Sequence, residues 1–323
     1  MTNYRDAKYT FPTVTFSGVA ESSPVEGNIW YDSGKYYFGT SQSFPGVWSS
    51  GGNLGTGRRN LAGCGTQSAG LCMGGRDGSV SNVTEEYNGS AWSAGGNLAT
   101  ARRSLAGAGT QAAGLCMGGY GASNSNVTEE YDGSSWSSGG NLGTTRRALA
   151  GAGTQSAGLS MGGYNGGYSN VTEEYDGTSW SSGGNLATAR SDLTGTGTQS
   201  AGLSIGGGTG SLSAVTEEYN GTSWSAGGSL ATAKSNLAAA GTQSAGLSMG
   251  GWDGDYTGVT EEYDGSSWSS GGSLTTARNG LGGAGTQTAG LCMGGYTGSV
   301  SVVTEEYTHP GSYDELFTAS QGL

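Results

Sequence analysis

The chain has 323 residues and a formal net charge of −12, from 25 acidic and 13 basic side chains; that excess of acid argues against a nucleic-acid partner, because phosphate binding rests on Lys and Arg. Glycine supplies 67 residues, while only 12% are charged and 33% hydrophobic, a composition that by itself marks disorder. Glycine does not recur at every third position, which excludes collagen, and no apolar run approaches the ~20 residues of a membrane helix, so no membrane insertion is expected.

Residues 1–47 stand outside the pattern that fills the rest of the chain. Met1-Thr2-Asn3-Tyr4-Arg5-Asp6 lacks the charged-then-apolar layout of a signal peptide, so the protein is expected to stay where it is made or to leave without that pathway. Glu26 to Gly39 reads as two aromatic strands around a Ser33-Gly34 turn. The Gly27-Asn28-Ile29-Trp30-Tyr31 stretch resembles hairpins common in phage tail-fibre proteins. The segment is short for an independent domain. Two readings stand: an anchor that attaches the chain to other proteins of a larger assembly, and an extension packed under the following domain.

From Trp48 onward the sequence repeats every 44 residues without insertion or deletion: Trp48, Trp92, Trp136, Trp180, Trp224 and Trp268 keep this period. So do Tyr87 through Tyr307 and the glycine doublets from Gly74-Gly75 to Gly294-Gly295. One unit holds four short strands: Leu105–Gly109, Ala113–Met117 after a Thr110-Gln111 turn, Val127–Tyr131 after a variable loop, and Ser135–Ser137 after Asp132-Gly133. Asp-Gly and Asn-Gly turns are strong hairpin signals, and helical periodicity is absent. The first strand is nearly all Gly and Ala and the last carries Trp, the taper of a blade crowded at its axis. The expectation is an all-β, six-bladed β-propeller with a short N-terminal β extension.

The set Gly74-Gly75, Glu85, Tyr87, Trp92 and Arg102 resembles the kelch repeat, in which these residues form the blade. The resemblance covers about Trp48 to Tyr307; it departs from typical kelch repeats in its very short strands and its Gly/Ser/Thr richness. Near-identical glycine-rich copies also look like kelch-like proteins encoded by bacteriophages, which implies a virion location, assembly in the host cytoplasm and many copies or a homo-oligomer.

Trp48 has no tyrosine five residues before it and Tyr307 no tryptophan five residues after it. The chain is therefore expected to enter the ring at an outer strand and leave at a third strand. Val47-Trp48-Ser49 beside Val303–Tyr307 then completes the sixth blade and removes exposed edges. The propeller spans 48–311 on this reading, with a 312–323 tail. The competing possibility is that Tyr313-Asp314-Glu315-Leu316-Phe317 supplies that outer strand.

Little here points to catalysis. His309 is the single histidine and sits before a proline. No Cys/His cluster has metal-ligand spacing, and no cofactor is expected. Cys64, Cys72, Cys116 and Cys292 alternate with Ser or Ala at their repeat positions, which favours small buried hydrophobes. Of each Glu pair, the first is expected to meet the repeated base (Arg58, Arg102, Arg146, Arg190, Lys234 or Arg278) and the second to face outward.

Variation concentrates in the loop after each glycine doublet. These loops should share one face with the connections carrying Arg59, Arg103 and Arg147. Candidate ligand-binding residues are Arg76, Tyr120, Tyr164, Tyr168, Trp252, Tyr256 and Tyr296. The expected function is that of a tail-fibre or receptor-binding protein presenting this face to a host-surface glycan or protein. The alternatives are a capsid-decorating or tail-adaptor protein and an intracellular kelch-type scaffold.

Overall fold

Each 44-residue copy forms one four-stranded antiparallel sheet, and six such blades make a propeller. The computed structural model describes residues 29–32, 35–43, 45–309 and 312–320, with side chains described for 45–309. In blade 2 the strands from the axis outward are Ala106–Gly109, Gly114–Met117, Thr128–Tyr131 and Trp136–Ser138. Ala106 faces Met117, Glu129 faces Cys116, and Tyr131 faces Trp136.

The small residues lie innermost because neighbouring blades nearly touch there. A Cβ on Gly151 would sit 2.7 Å from the Gly107 carbonyl oxygen, and one on Gly63 equally close to that of Gly283. The apolar core lies between blades rather than within them. Leu71 and Met73 of blade 1 cluster with Leu105, Cys116 and Tyr131 of blade 2 and the half-buried Trp136. That arrangement lets thin blades of low hydrophobicity bury enough surface, since each uses both of its faces.

Three polar contacts recur at every blade junction. Trp136 Nε1 donates to Thr84 Oγ1 of blade 1 at 2.9 Å. The Tyr131 hydroxyl donates to Glu86 at 2.5 Å. Gln111 Nε2 donates to the carbonyls of Gly70 and Tyr87 at 3.0 and 2.7 Å. Two sequence-based expectations change here. The second glutamate of each pair does not face outward; it accepts the phenol of the next blade. Gln111, expected only as a turn residue, is a clamp between blades.

The ring closes as the register of its ends requires. Val47–Ser50 lies antiparallel to Thr304–Thr308, with Trp48 opposite Tyr307, and supplies the outer strand of blade 6. Ser312–Ser320 instead pairs with Lys35–Ser43, which also pairs with Ile29–Asp32. Tyr313–Phe317 is thus not the outer strand of the last blade. The chain divides into a ring, Pro45–His309, and a second unit built from both ends. Residues 1–28 and the Ser33-Gly34 turn lie outside the described residues, and with them most of the expected anchoring segment.

Candidate functional site

The variable loops stand on a fixed frame. Arg102 is fully buried and its Nη1 donates to the carbonyls of Gly118 and Val127, both at 2.6 Å. Those two residues are the ends of the blade 2 variable loop. Nη2 donates to Glu129 Oε1 at 2.8 Å and to Cys116 Sγ at 3.3 Å. Glu129 Oε2 accepts the Ala99 amide at 2.7 Å. One side chain therefore fixes both ends of the loop, and its carboxylate partner fixes the connection beside it. The doublet allows the sharp departure: Gly118 and Gly119 have φ of 62° and 102°, and a Cβ on Gly118 would lie 2.9 Å from the Arg146 carbonyl.

This frame uses up the repeated ionisable groups. Arg58, Arg146 and Arg190 pair in the same way with Glu85, Glu173 and Glu217, while Arg278 meets Glu305 through Nη1 at 2.5 Å and bonds the Thr276 carbonyl instead of the loop ends. The four cysteines are free and buried; burial pushes the Cys116 thiol up to about 11 against a lowering pull from Arg102. Cys72, Cys116 and Cys292 also accept from the buried arginine, a task that Ser160 and Ser204 take in their blades. Blade 5 differs. Lys234 Nζ lies 3.5 Å from Glu261 Oε1, and burial pulls its amine down to about 8. Ser248 Oγ and Glu261 Oε1 are left without a hydrogen-bond partner.

The second-to-third-strand loops and the blade entry connections meet on one face through short backbone bridges. Going round the ring these are Arg59–Arg76, Arg103–Tyr120, Arg147–Tyr164, Ser191–Gly208, Ser235–Trp252 and Asn279–Tyr296. The buried cation–glutamate pair repeats six times, whereas these bridges do not: blades 1 to 3 are basic, blade 4 is bare, and blades 5 and 6 are aromatic.

The candidate residues fall into two groups and a single member. Arg103 and Arg147 flank the Tyr120 ring at 5.0 and 5.1 Å, Arg147 lies 4.7 Å from Tyr164, and Tyr164 meets Tyr168 edge-on at 6.2 Å. Across the ring, Trp252 packs edge-on against Tyr256 at 5.3 Å, and Tyr256 against Tyr296 at 5.8 Å. Arg59 covers Tyr296 at 4.1 Å. Arg76 is in neither group and lies at the mouth of the central axis. The chain matches no family model and no curated protein.

At that mouth the backbone makes a closed circle. Asn60, Ser104, Ala148, Asp192, Asn236 and Gly280 each donate an amide to the carbonyl of the one before, at 2.7 to 2.9 Å, with the Asn60 amide completing the circle onto Gly280. All six have φ between 51° and 59°, a strained conformation for Ala148 and Ser104 and an easier one for Asn. Next to this circle is a cavity of about 260 Å3 lined by Arg59, Asn60, Arg76, Arg103, Asn236 and Asn279. Its lining contains no carboxylate and no histidine. It offers hydrogen-bond donors and positive charge, and holds no group able to serve as a general base. Asn60, Asn236 and Asn279 were not singled out from the sequence. The signal was available by stepping 44 residues from Arg59, which visits Arg103, Arg147, Ser191, Ser235 and Asn279 and varies as the loop tips do.

Proposed function

We propose that this is a non-enzymatic component of a bacteriophage particle, a tail-fibre or receptor-binding protein whose loop face meets a glycan or protein of the host surface. One observation carries the binding reading. Side chains that differ between otherwise near-identical blades gather on one face, around one axis, on loops whose ends the buried arginines of blades 1 to 4 hold. Aromatic rings and guanidinium groups on a rigid frame suit recognition, and multiple copies on a particle turn weak single contacts into firm attachment. The resemblance of the repeat to kelch repeats and to glycine-rich phage proteins, and that of the Gly27–Tyr31 sequence to tail-fibre proteins, support the virion location, with the terminal unit as the attachment to other virion proteins. The repeated carboxylates serve the frame, which favours binding over catalysis.

The test uses the full chain, because its last strand pairs with the N-terminal hairpin. Purified protein should label host cells, and Trp252→Ala with Tyr256→Ala should remove that labelling while leaving the melting temperature within a few degrees. Protein that ignores cells but tiles the capsid in imaged particles would instead establish capsid decoration.

A further inference from the structure

The ring from Pro45 to His309 contains ten lysines and arginines. Six of them, Arg58, Arg102, Arg146, Arg190, Lys234 and Arg278, are buried against glutamates. The other four are Arg59, Arg76, Arg103 and Arg147, and all four lie on the loop face, three of them in the lining of one cavity. In a chain of net charge −12 the ring thus gathers on one face every Lys and Arg that its frame does not use. None of the four forms a close ion pair with a carboxylate among the described residues, and Asp192 in the backbone circle feels the charge of Arg147 alone. Arg103 feels the cost, since burial and then the charges of Arg76 and Arg147 lower its affinity for its proton. The three like charges of the cavity, held together with no carboxylate in its lining, are a standing demand for an anion.

Resting on the receptor-binding reading above, we propose that the ligand of the loop face is an acidic saccharide. Its carboxylate or sulfate occupies the cavity lined by Arg59, Arg76, Arg103 and the asparagines, and its neutral sugar rings lie against the Trp252–Tyr256–Tyr296 wall. Planar guanidinium groups match an oxyanion in a two-pronged manner. The carboxamides of Asn236 and Asn279 make no hydrogen bond among the described residues and are free for hydroxyls. A protein partner would call for apolar surface, and among the described residues the loop face exposes only Tyr168 and Val300 as large hydrophobics. A nucleic acid would call for a basic track along a backbone, whereas these charges form a compact cluster, with Asp77, Asp253 and Asp255 exposed in the same loops.

Full-length protein and the triple variant Arg59→Gln/Arg76→Gln/Arg103→Gln are titrated calorimetrically with sodium polygalacturonate, dextran sulfate, neutral dextran and oligodeoxythymidylate. The three arginines are partly exposed, and a melting curve confirms that the variant folds. At least one acidic polymer should bind, weaken as salt is raised, and lose about tenfold in affinity for each arginine removed. Preference for polygalacturonate assigns the oxyanion as carboxylate, and preference for dextran sulfate as sulfate; either supports the proposal. Failure of both acids to bind, or equal binding by the triple variant, overturns it, as does tighter binding of the oligonucleotide. Cell labelling that survives the triple variant would leave the receptor reading standing and remove only the acidic ligand.

Discussion

Among the six buried cations, Lys234 marks what the arginine fork contributes. In blades 1 to 4 a guanidinium reaches both loop carbonyls, the glutamate and the Cys or Ser of the second strand, and in blade 6 Arg278 keeps the glutamate and Cys292 but turns to the Thr276 carbonyl. An ammonium on a straight stem reaches only the Val259 carbonyl, at 3.1 Å, with Glu261 at 3.5 Å. Two buried acceptors in that blade therefore lack partners. Lys234→Arg should supply them and raise stability by about 1–2 kcal/mol, read as a shift of the urea midpoint. The gain depends on pH. The lysine binds its proton up to about 10.5 when unfolded but only to about 8 in the ring, so its own contribution to stability rises with pH between those values. The difference between variant and parent should be largest below pH 8 and shrink above it. A midpoint that does not move would mean that blade 5 has relaxed around the lysine.

Strands show which parts of the fold can be read locally. Period, blade number, strand order and closure were all legible, because a six-fold pattern repeats its own evidence and because Trp48 and Tyr307 are each missing the partner that the other supplies. What was not legible is what crosses between blades. The outward-facing expectation for the second glutamate follows from strand alternation alone, but the opposite face of a blade is not solvent: it meets the Tyr of the next blade. The closing strand tests this view. Trp48 makes the same contacts as Trp136: a tyrosine ring at 4.9 Å and a threonine of the preceding blade at 3.0 Å against 2.9 Å. Trp48→Ala and Trp136→Ala should therefore cost similar stability, on the order of 2–3 kcal/mol for a half-buried tryptophan. Their dynamics should differ, since the outer strand of blade 6 is joined through no turn to the strand it pairs with. Trp48→Ala should speed amide exchange across Glu305–Thr308, whereas Trp136→Ala should leave Glu129–Tyr131 protected. Equal exchange in both would mean that closure is no weaker than any hairpin.

The whole ring shares one titration. At each junction a phenol donates a hydrogen bond to a carboxylate of the neighbouring blade, from Tyr87 to Glu306 round to Tyr263 to Glu218, with Tyr307 to Glu262 at the closing blade. Ionising a phenol there would set two anions against each other across a blade interface. Burial first, and then the glutamate, push Tyr131, Tyr175, Tyr219 and Tyr263 up to about 12, and raise Tyr87 and Tyr307 as well. Burial also raises Cys72, Cys116 and Cys292 to about 11 and Cys64 to about 12. The unfolded chain releases these protons from about pH 9 for the thiols and 10 for the phenols, while the ring holds them to 11 or 12. Stability is thus fully present below pH 9 and is lost as pH rises through 11 and 12. Lys234 acts in the opposite sense but is one group against ten. The melting temperature should hold steady to about pH 9 and then fall steeply, with all six blades lost in one transition because every junction carries the same pair. Tyr131→Phe separates the causes: it should lower stability near neutrality by about 1 kcal/mol for the lost hydrogen bond yet make the alkaline fall shallower, since one titrating phenol is gone. A melting temperature unchanged from pH 9 to pH 11.5 would show that the phenols and thiols do not couple to folding.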